Sequence, residues 1–143
     1  SRRQHVVERI RPVLARGAHV LCDRYTDATL AYQGYGRLID LGRLQLLNEW
    51  ATEGLMPDVT LLFDIDEKTG LTRAHARNAE MVVDEGRFEA EELPFHRRVR
   101  EGYLAMAVAE PARFAVIDGN GTIDEVFDRT LATLRTRAPE LFS

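Results

Sequence analysis

Apolar positions along the chain follow two periods. Val6, Val7, Ile10, Val13 and Leu14 recur at helical spacing and Gly17 closes the run, which predicts an opening helix. Pro12 falls inside that helix, where its ring removes an amide donor and crowds the preceding turn, so the axis is expected to bend there. No N-cap residue precedes the pattern, so Ser1 is read as already inside the helix. Three short, nearly continuous apolar runs follow, each ending in an aspartate: His19 to Cys22 before Asp23, Val59 to Phe63 before Asp64, and Phe114 to Ile117 before Asp118. Runs of that kind separated by helical segments predict buried parallel strands. Between the first two lies a helix capped by Asp40 with Leu44, Leu47 and Ala51 on one face. Between the last two come a charged stretch and a helix burying Phe95, Val99, Tyr103 and Met106. The final helix opens on a capping box, Thr122 to Glu125, and is expected to bury Val126, Phe127, Leu131 and Leu134. The order is that of an α/β protein with a parallel sheet flanked by helices, whose ligands bind beyond the carboxyl ends of the strands. With no internal repeat, low-complexity segment or linker, residues 1–143 are read as a single domain.

Composition narrows the function more than the fold. An apolar fraction of 45% and a charged fraction of 29% are those of an ordinary soluble globular protein. No apolar run reaches the length of a membrane-spanning helix and no signal peptide is read at the start, so no membrane partner is expected. A net charge of −4 argues against a general nucleic-acid binder. Cys22 is the only cysteine, which excludes an internal disulfide framework and a thiolate zinc cluster and fits a cytoplasmic location. Lys68 is the only lysine among nineteen Lys and Arg residues, so any chemistry needing a lysine has one candidate.

The densest chemistry lies in the string from Asp23 to Gly34. An Asp-Arg pair leaving a strand end sets an acceptor of cations beside a guanidinium fork, and that fork grips phosphate oxygens through two parallel hydrogen bonds. Asp23 can hold a water on Mg²⁺ or orient Arg24. Thr29, Tyr32 and Gln33 follow at i, i+3 and i+4 on a helix, offering a hydroxyl, a ring and an amide to one ligand. An isolated Asp-Arg dipeptide is ordinarily a surface ion pair; the whole string at a strand end is what points to a ligand.

At this string the chain resembles the thymidylate kinases. Asp23-Arg24-Tyr25 and Ala31 through Arg37 match that family's Asp-Arg-Tyr/His and Ala-Tyr-Gln-Gly-x-Gly-Arg. Arg2 and Gln4 match its preceding helix, and Pro57 through Asp64 match its Pro-Asp-x-Thr-Leu-x-Leu-Asp strand. Arg73 and Arg77 match the lid's Arg-x-x-x-Arg, and Arg87-Phe88-Glu89 match the lid's end. Phe95, Val99 and Tyr103, and then Ile117-Asp118, complete the series in order up to about Arg135. Two positions depart from the pattern: Tyr35 stands where bacterial members usually carry glycine, and Gly86 where an aspartate usually precedes the lid arginine.

The resemblance implies a P-loop nucleoside monophosphate kinase-like fold, with a lid at residues 72–89, and ATP-dependent phosphorylation of dTMP to dTDP in nucleotide biosynthesis. It implies that Arg24 grips the dTMP phosphate, Arg2 reaches the thymine O4 side, Thr29 meets the pyrimidine edge and Tyr32 packs near the deoxyribose. Gln33 belongs to the same binding face. Asp23 acts on Mg²⁺ or its waters, Arg73, Arg77 or Arg87 closes over the phosphates, and Glu89 lies near the metal or sugar. A lid arginine of this kind is worth ~10³–10⁵ in rate, whereas the thymine methyl can be rewarded by only ~1–3 kcal/mol. A cytoplasmic homodimer packed through long helices is implied as well. Arg97, Arg98 and Arg100, by contrast, read as a solvated helix face.

The family's Gly-rich loop ending Gly-Lys-Ser/Thr has no counterpart here. Gly119-Asn120-Gly121-Thr122 lacks a lysine, and Lys68 precedes Thr69-Gly70 after the second strand. The expectation is a truncated thymidylate kinase, with one or two N-terminal strands missing, inactive as this chain alone. The alternatives are a non-catalytic remnant, or a related nucleoside monophosphate or deoxynucleoside kinase.

Overall fold

The computed structural model describes the backbone of residues 2–77 and 85–142; within these, the side chains of residues 67, 74, 75, 77 and 85–92 are outside the description. The opening helix is one rod in three parts: α1 (Arg2–His5), a π-helical turn (Val6–Ile10) and α2 (Arg11–Leu14). The wide turn sits just before Pro12. Arg11 N–H reaches back five residues to the Val6 carbonyl, so the proline's missing donor and bulky ring are met by a local widening of the helix. Gly17, at φ +75°, ends the rod as expected, and Ala18 N–H caps the Val13 carbonyl.

The sheet among the described residues has two parallel strands, β1 (Thr60–Asp64) and β2 (Phe114–Asp118), registered from Thr60 beside Phe114 to Asp64 beside Asp118. The expected strand over residues 19–22 is not formed. A strand exists through its ladder bonds, and this segment pairs with no other among the described residues; Leu21 is 90% exposed. The expectation for the final helix is likewise only partly met. α7 (Ile123–Arg137) keeps its Thr122–Glu125 capping box, yet Phe127 is 57% exposed and Val126, Leu131 and Leu134 are half-buried. A two-stranded sheet is too narrow to cover that helix, and Phe63 and Val116 stand exposed on β1 and β2 as well.

α4 (Leu41–Thr52) starts at Asp40, whose carboxylate accepts from Arg43 N–H at 2.8 Å. Its buried stripe is Leu44, Asn48 and Thr52, whereas Leu47, expected inside, is 59% exposed. The stripe is set by what faces α3 (Thr26–Thr29) and the π-helical segment after it (Leu30–Gly36), and the contacts there are polar at Asn48 and Thr52. The apolar core lies where that π-helical segment meets α6 (Glu85–Ala109). Ala31, Val99, Met106, Ala107 and Phe114 are buried there, with Tyr32, Phe95 and Tyr103 packed around them, as the periodicity of α6 predicts. Tyr35 finds its place in the same contact. Its ring lies against Gly102, where a Cβ would fall 2.5 Å from Tyr35 Cγ, so the bulk at position 35 is received by the missing side chain at 102. α5 (Glu67–Arg77) follows β1, and no described helix is long and apolar enough to cross a membrane.

One ion pair joins these parts. Arg113, just before β2, donates from both terminal nitrogens to Asp27 at 2.7 and 2.9 Å, and to the Thr60 hydroxyl at 2.9 Å. It also forks onto Glu110 at 2.8 and 2.9 Å and lies 4.5 Å from the Phe114 ring centroid. The side chains of Arg113 and Asp27 are about nine-tenths buried. Loss of one partner strands the other charge, so Arg113→Met is expected to cost about 3–5 kcal/mol in urea denaturation. Replacing the pair together by apolar residues of like volume is expected to cost much less; equal losses in the two variants would contradict a buried-charge origin. The Glu110 carboxyl is held below its usual range chiefly by the hydrogen bond from Arg113, against a smaller opposing effect of burial. A depressed carboxyl stabilises the fold fully above its unfolded value of ~4.3 and loses that contribution as pH falls through the lower folded value. Glu110→Gln is therefore expected to flatten the fall in urea midpoint below about pH 4.3; an unchanged slope would refute the linkage.

Candidate functional site

Two clusters lie along the helix that begins at Thr26. Asp23 and Arg24 precede it, both exposed. Arg24 adopts φ +58°, a left-handed conformation that a non-glycine residue holds only at a cost of about 1–3 kcal/mol. The turn sends its guanidinium over the Tyr32 ring, 5.0 Å from the centroid. Tyr32 in turn meets Phe95 edge-on at 6.1 Å. Tyr103 belongs to the same surroundings: burial, reinforced by Tyr32 and opposed by Arg24, pushes its hydroxyl up to about 12, so it stays protonated and a hydrogen-bond donor at neutral pH. An exposed guanidinium seated on aromatic rings is positioned for an anion such as a phosphate.

The second cluster is built on Arg2. Its guanidinium donates at 2.8 Å to the Asn48 side-chain oxygen, at 2.8 Å to the Thr29 hydroxyl and at 3.3 Å to the Tyr25 carbonyl. Asn48 is 6% exposed and uses its other end as well, its amide nitrogen donating at 3.2 Å to the Thr26 carbonyl. Tyr25 lies beneath the guanidinium at 5.9 Å and donates its hydroxyl to the Leu55 carbonyl. Burial holds the Tyr25 hydroxyl above its usual range. Arg11 and Arg3 reach Glu53, at the far end of α4, and pin the rod to α4 on its outer side.

The structure brings Arg2 to Thr29, and Arg24 to Tyr32. Gln33 is half-buried on the same segment; its carbonyl accepts from Ile39 N–H, and its side chain makes no hydrogen bond among the described residues. Arg73 points elsewhere, donating to the carbonyls of Gly119 at 3.0 Å and Gly121 at 3.4 Å in the loop after β2. The side chains of Arg77, Arg87 and Glu89 lie outside the described residues, as does the 78–84 part of the 72–89 segment. Arginines read as a solvated face are engaged instead. Arg98 donates twice to the Gly36 carbonyl, at 2.9 and 3.0 Å, and Arg100 forks onto Asp64 at 2.7 and 2.9 Å. Their spacing on α6 resembles that of surface arginines, and the acceptors come from distant segments. Asn48 and the Asp27–Arg113 bridge were missed in the sequence. A polar residue on the same stripe as Leu44 and Thr52 was the one available signal for Asn48; nothing local marks Asp27 and Arg113 as partners.

Comparison with known proteins gives the same direction. A family model described as thymidylate kinase matches residues 1–130. The thymidylate kinase of Solidesulfovibrio magneticus is 60% identical over 128 residues, covering 88% of this chain and 61% of the relative. That of Nitratidesulfovibrio vulgaris is 53% identical over 138 residues, covering 95% and 64%. That of Desulfovibrio desulfuricans is 57% identical over 128 residues, covering 88% and 59%. The chain thus spans about three-fifths of the length of these curated relatives. Matched over residues 1–130 by that family model, the chain belongs to the thymidylate kinase family.

Proposed function

We propose that the protein phosphorylates dTMP to dTDP with ATP, as a chain of its relatives' length, in the cytoplasmic supply of dTTP. The observation that carries this reading is a helix with two clusters one turn apart on it. Arg24 stands exposed over Tyr32, and Arg2 is bonded to Thr29. A nucleoside monophosphate laid against that helix meets the guanidinium fork of Arg24 with its phosphate and the Arg2–Thr29 edge with its base. Tyr32, under Arg24 and one turn from Thr29, packs against the deoxyribose and leaves little room for a 2′-hydroxyl.

Phosphoryl transfer asks little covalent work of the protein; a phosphate oxygen of dTMP displaces ADP from the γ-phosphorus, and the protein supplies alignment and positive charge. Arg24 holds the acceptor phosphate in line, and Gln33 adds an amide to the binding face. Arg73, Arg77 and Arg87 are the candidates to cover the transferring group, and Glu89 to approach the sugar or metal. For Arg73 this role requires release from the Gly119 and Gly121 carbonyls. Mg²⁺ would be carried mainly by the nucleotide phosphates, with the Asp23 carboxylate reaching it through water. When bound, the ion neutralises charge on the phosphates. We further propose a homodimer through α4, whose outer face exposes Leu46, Leu47 and Trp50, the last 77% accessible.

Assayed with ATP and Mg²⁺, the full-length protein is expected to turn over dTMP in preference to dUMP, dCMP, dAMP and dGMP. Arg24→Ala is expected to lower kcat/KM for dTMP by about 10²-fold, and Arg24→Lys to recover only part of it, since an ammonium cannot form the paired bonds. Preference for another base, or full activity in Arg24→Ala, would overturn the reading.

A further inference from the structure

We propose that Asn48 is a positioning residue for base selection, holding Arg2 so that its guanidinium offers only hydrogen-bond donors to the 4-position of the base. The inference rests on the dTMP reading above and names a residue outside the nucleotide-contacting set.

Hydrogen-bond directions decide what Arg2 can offer a ligand. Asn48 is buried and both ends of its amide are committed: the nitrogen gives to the Thr26 carbonyl, so the oxygen must face Arg2. Turning the amide over would set N–H against guanidinium N–H and carbonyl against carbonyl, so the neighbours lock the orientation. Arg2 then spends three of its five N–H groups inside the protein, on Asn48, Thr29 and Tyr25. The two left over are aimed by those three bonds. Thr29 receives a hydrogen bond from Arg2, and its own hydrogen is free to give to a ligand. The groups left on Arg2 are donors only, which suits the 4-oxo group of a pyrimidine and opposes a 4-amino one, whose N–H groups would meet guanidinium N–H; the Thr29 hydroxyl keeps one lone pair and can still accept from a ring N–H. Asn48 sits on α4, held by the Asp40 cap at one end and by the Thr52 hydroxyl bonded to its own carbonyl at the other, so its amide is carried on a fixed support. The base lies remote from the reacting phosphate, so loss of this alignment falls on substrate binding and selectivity and leaves the chemical step alone.

The test is steady-state kinetics of the full-length protein on dTMP and dCMP, with urea denaturation of each variant in parallel. Asn48→Ala is expected to raise the dTMP KM by about 10-fold or more and to shrink the dTMP-to-dCMP preference, with kcat held within about twofold. In an Arg2→Met background the same substitution is expected to change neither quantity, because the two residues act as a unit. Asn48→Asp keeps an acceptor toward Arg2 but loses the bond to the Thr26 carbonyl, so it is expected to recover part of the KM lost in Asn48→Ala while lowering the urea midpoint. An unchanged KM and preference in Asn48→Ala, an equal effect in both backgrounds, or an Asp variant as impaired as the Ala variant would each overturn the proposal. A wild-type protein that prefers dTMP while the variants behave so overturns this inference alone; a wild type indifferent to dTMP removes the functional reading and this inference with it.

Discussion

The seating of the helix from Thr26 to Gly36 depends on the fork between Arg113 and Asp27. That helix has few anchors of its own kind: its first turn is α-helical, the rest is wound as π, and it follows a residue held at φ +58°. Arg113 reaches it from the strand β2 entry, takes in Thr60 at the head of β1, and is balanced by Glu110 at the end of α6. Three stretches far apart in the chain, at residues 27, 60 and 110–113, thus meet at one guanidinium that is almost wholly removed from water. Charge buried this way contributes weakly as net stability but penalises every arrangement in which it is unpaired, so it selects one register among the alternatives. The apolar packing of Ala31 against Val99, Met106 and Phe114 then fills in around a geometry already chosen.

Seen from that anchor, the two clusters are consequences of helix placement. Arg24 leaves the helix start under strain and comes to rest on Tyr32, eight residues along. Arg2 arrives from the opening rod and closes on Thr29 and Asn48, with Pro12 and its π-helical turn adjusting the line of the rod without breaking it. α4 serves on two sides at once, with Asn48 turned inward to the base end and Leu46, Leu47 and Trp50 turned outward. A dimer formed through that outer face would stiffen the support of Asn48, coupling assembly to substrate recognition through a single helix.

Much of this was legible in the residues. Local signals identified themselves: the Thr122–Glu125 capping box, the Asp40 cap, the Gly17 stop and the stripe of α6 all rest on groups within one or two turns. The string from Asp23 to Gly34 marked the site for the same reason, since its residues are consecutive. What escaped was set by distant partners. Among the described residues, 19–22 have the composition of a strand but no neighbour to pair with, and Phe127 and Leu47 have apolar spacing yet stand exposed. Arg98 and Arg100 have the look of solvated arginines, yet a carbonyl sixty-two positions away and an aspartate thirty-six positions away claim them. Asp27 and Arg113, eighty-six positions apart, follow the same rule. Sequence pattern reports what a residue needs, and only the fold decides which partner meets the need.

The central claim is that one helix lays a thymidine nucleotide out with its phosphate at Arg24 and its base at Arg2 and Thr29. A crystal structure of the full-length protein with dTMP tests it most directly. The account predicts phosphate oxygens in paired hydrogen bonds with Arg24, the Tyr32 ring against the deoxyribose, and the thymine 4-oxo group within hydrogen-bonding distance of Arg2. A nucleotide bound in the reverse sense, or seated away from this helix, would contradict it.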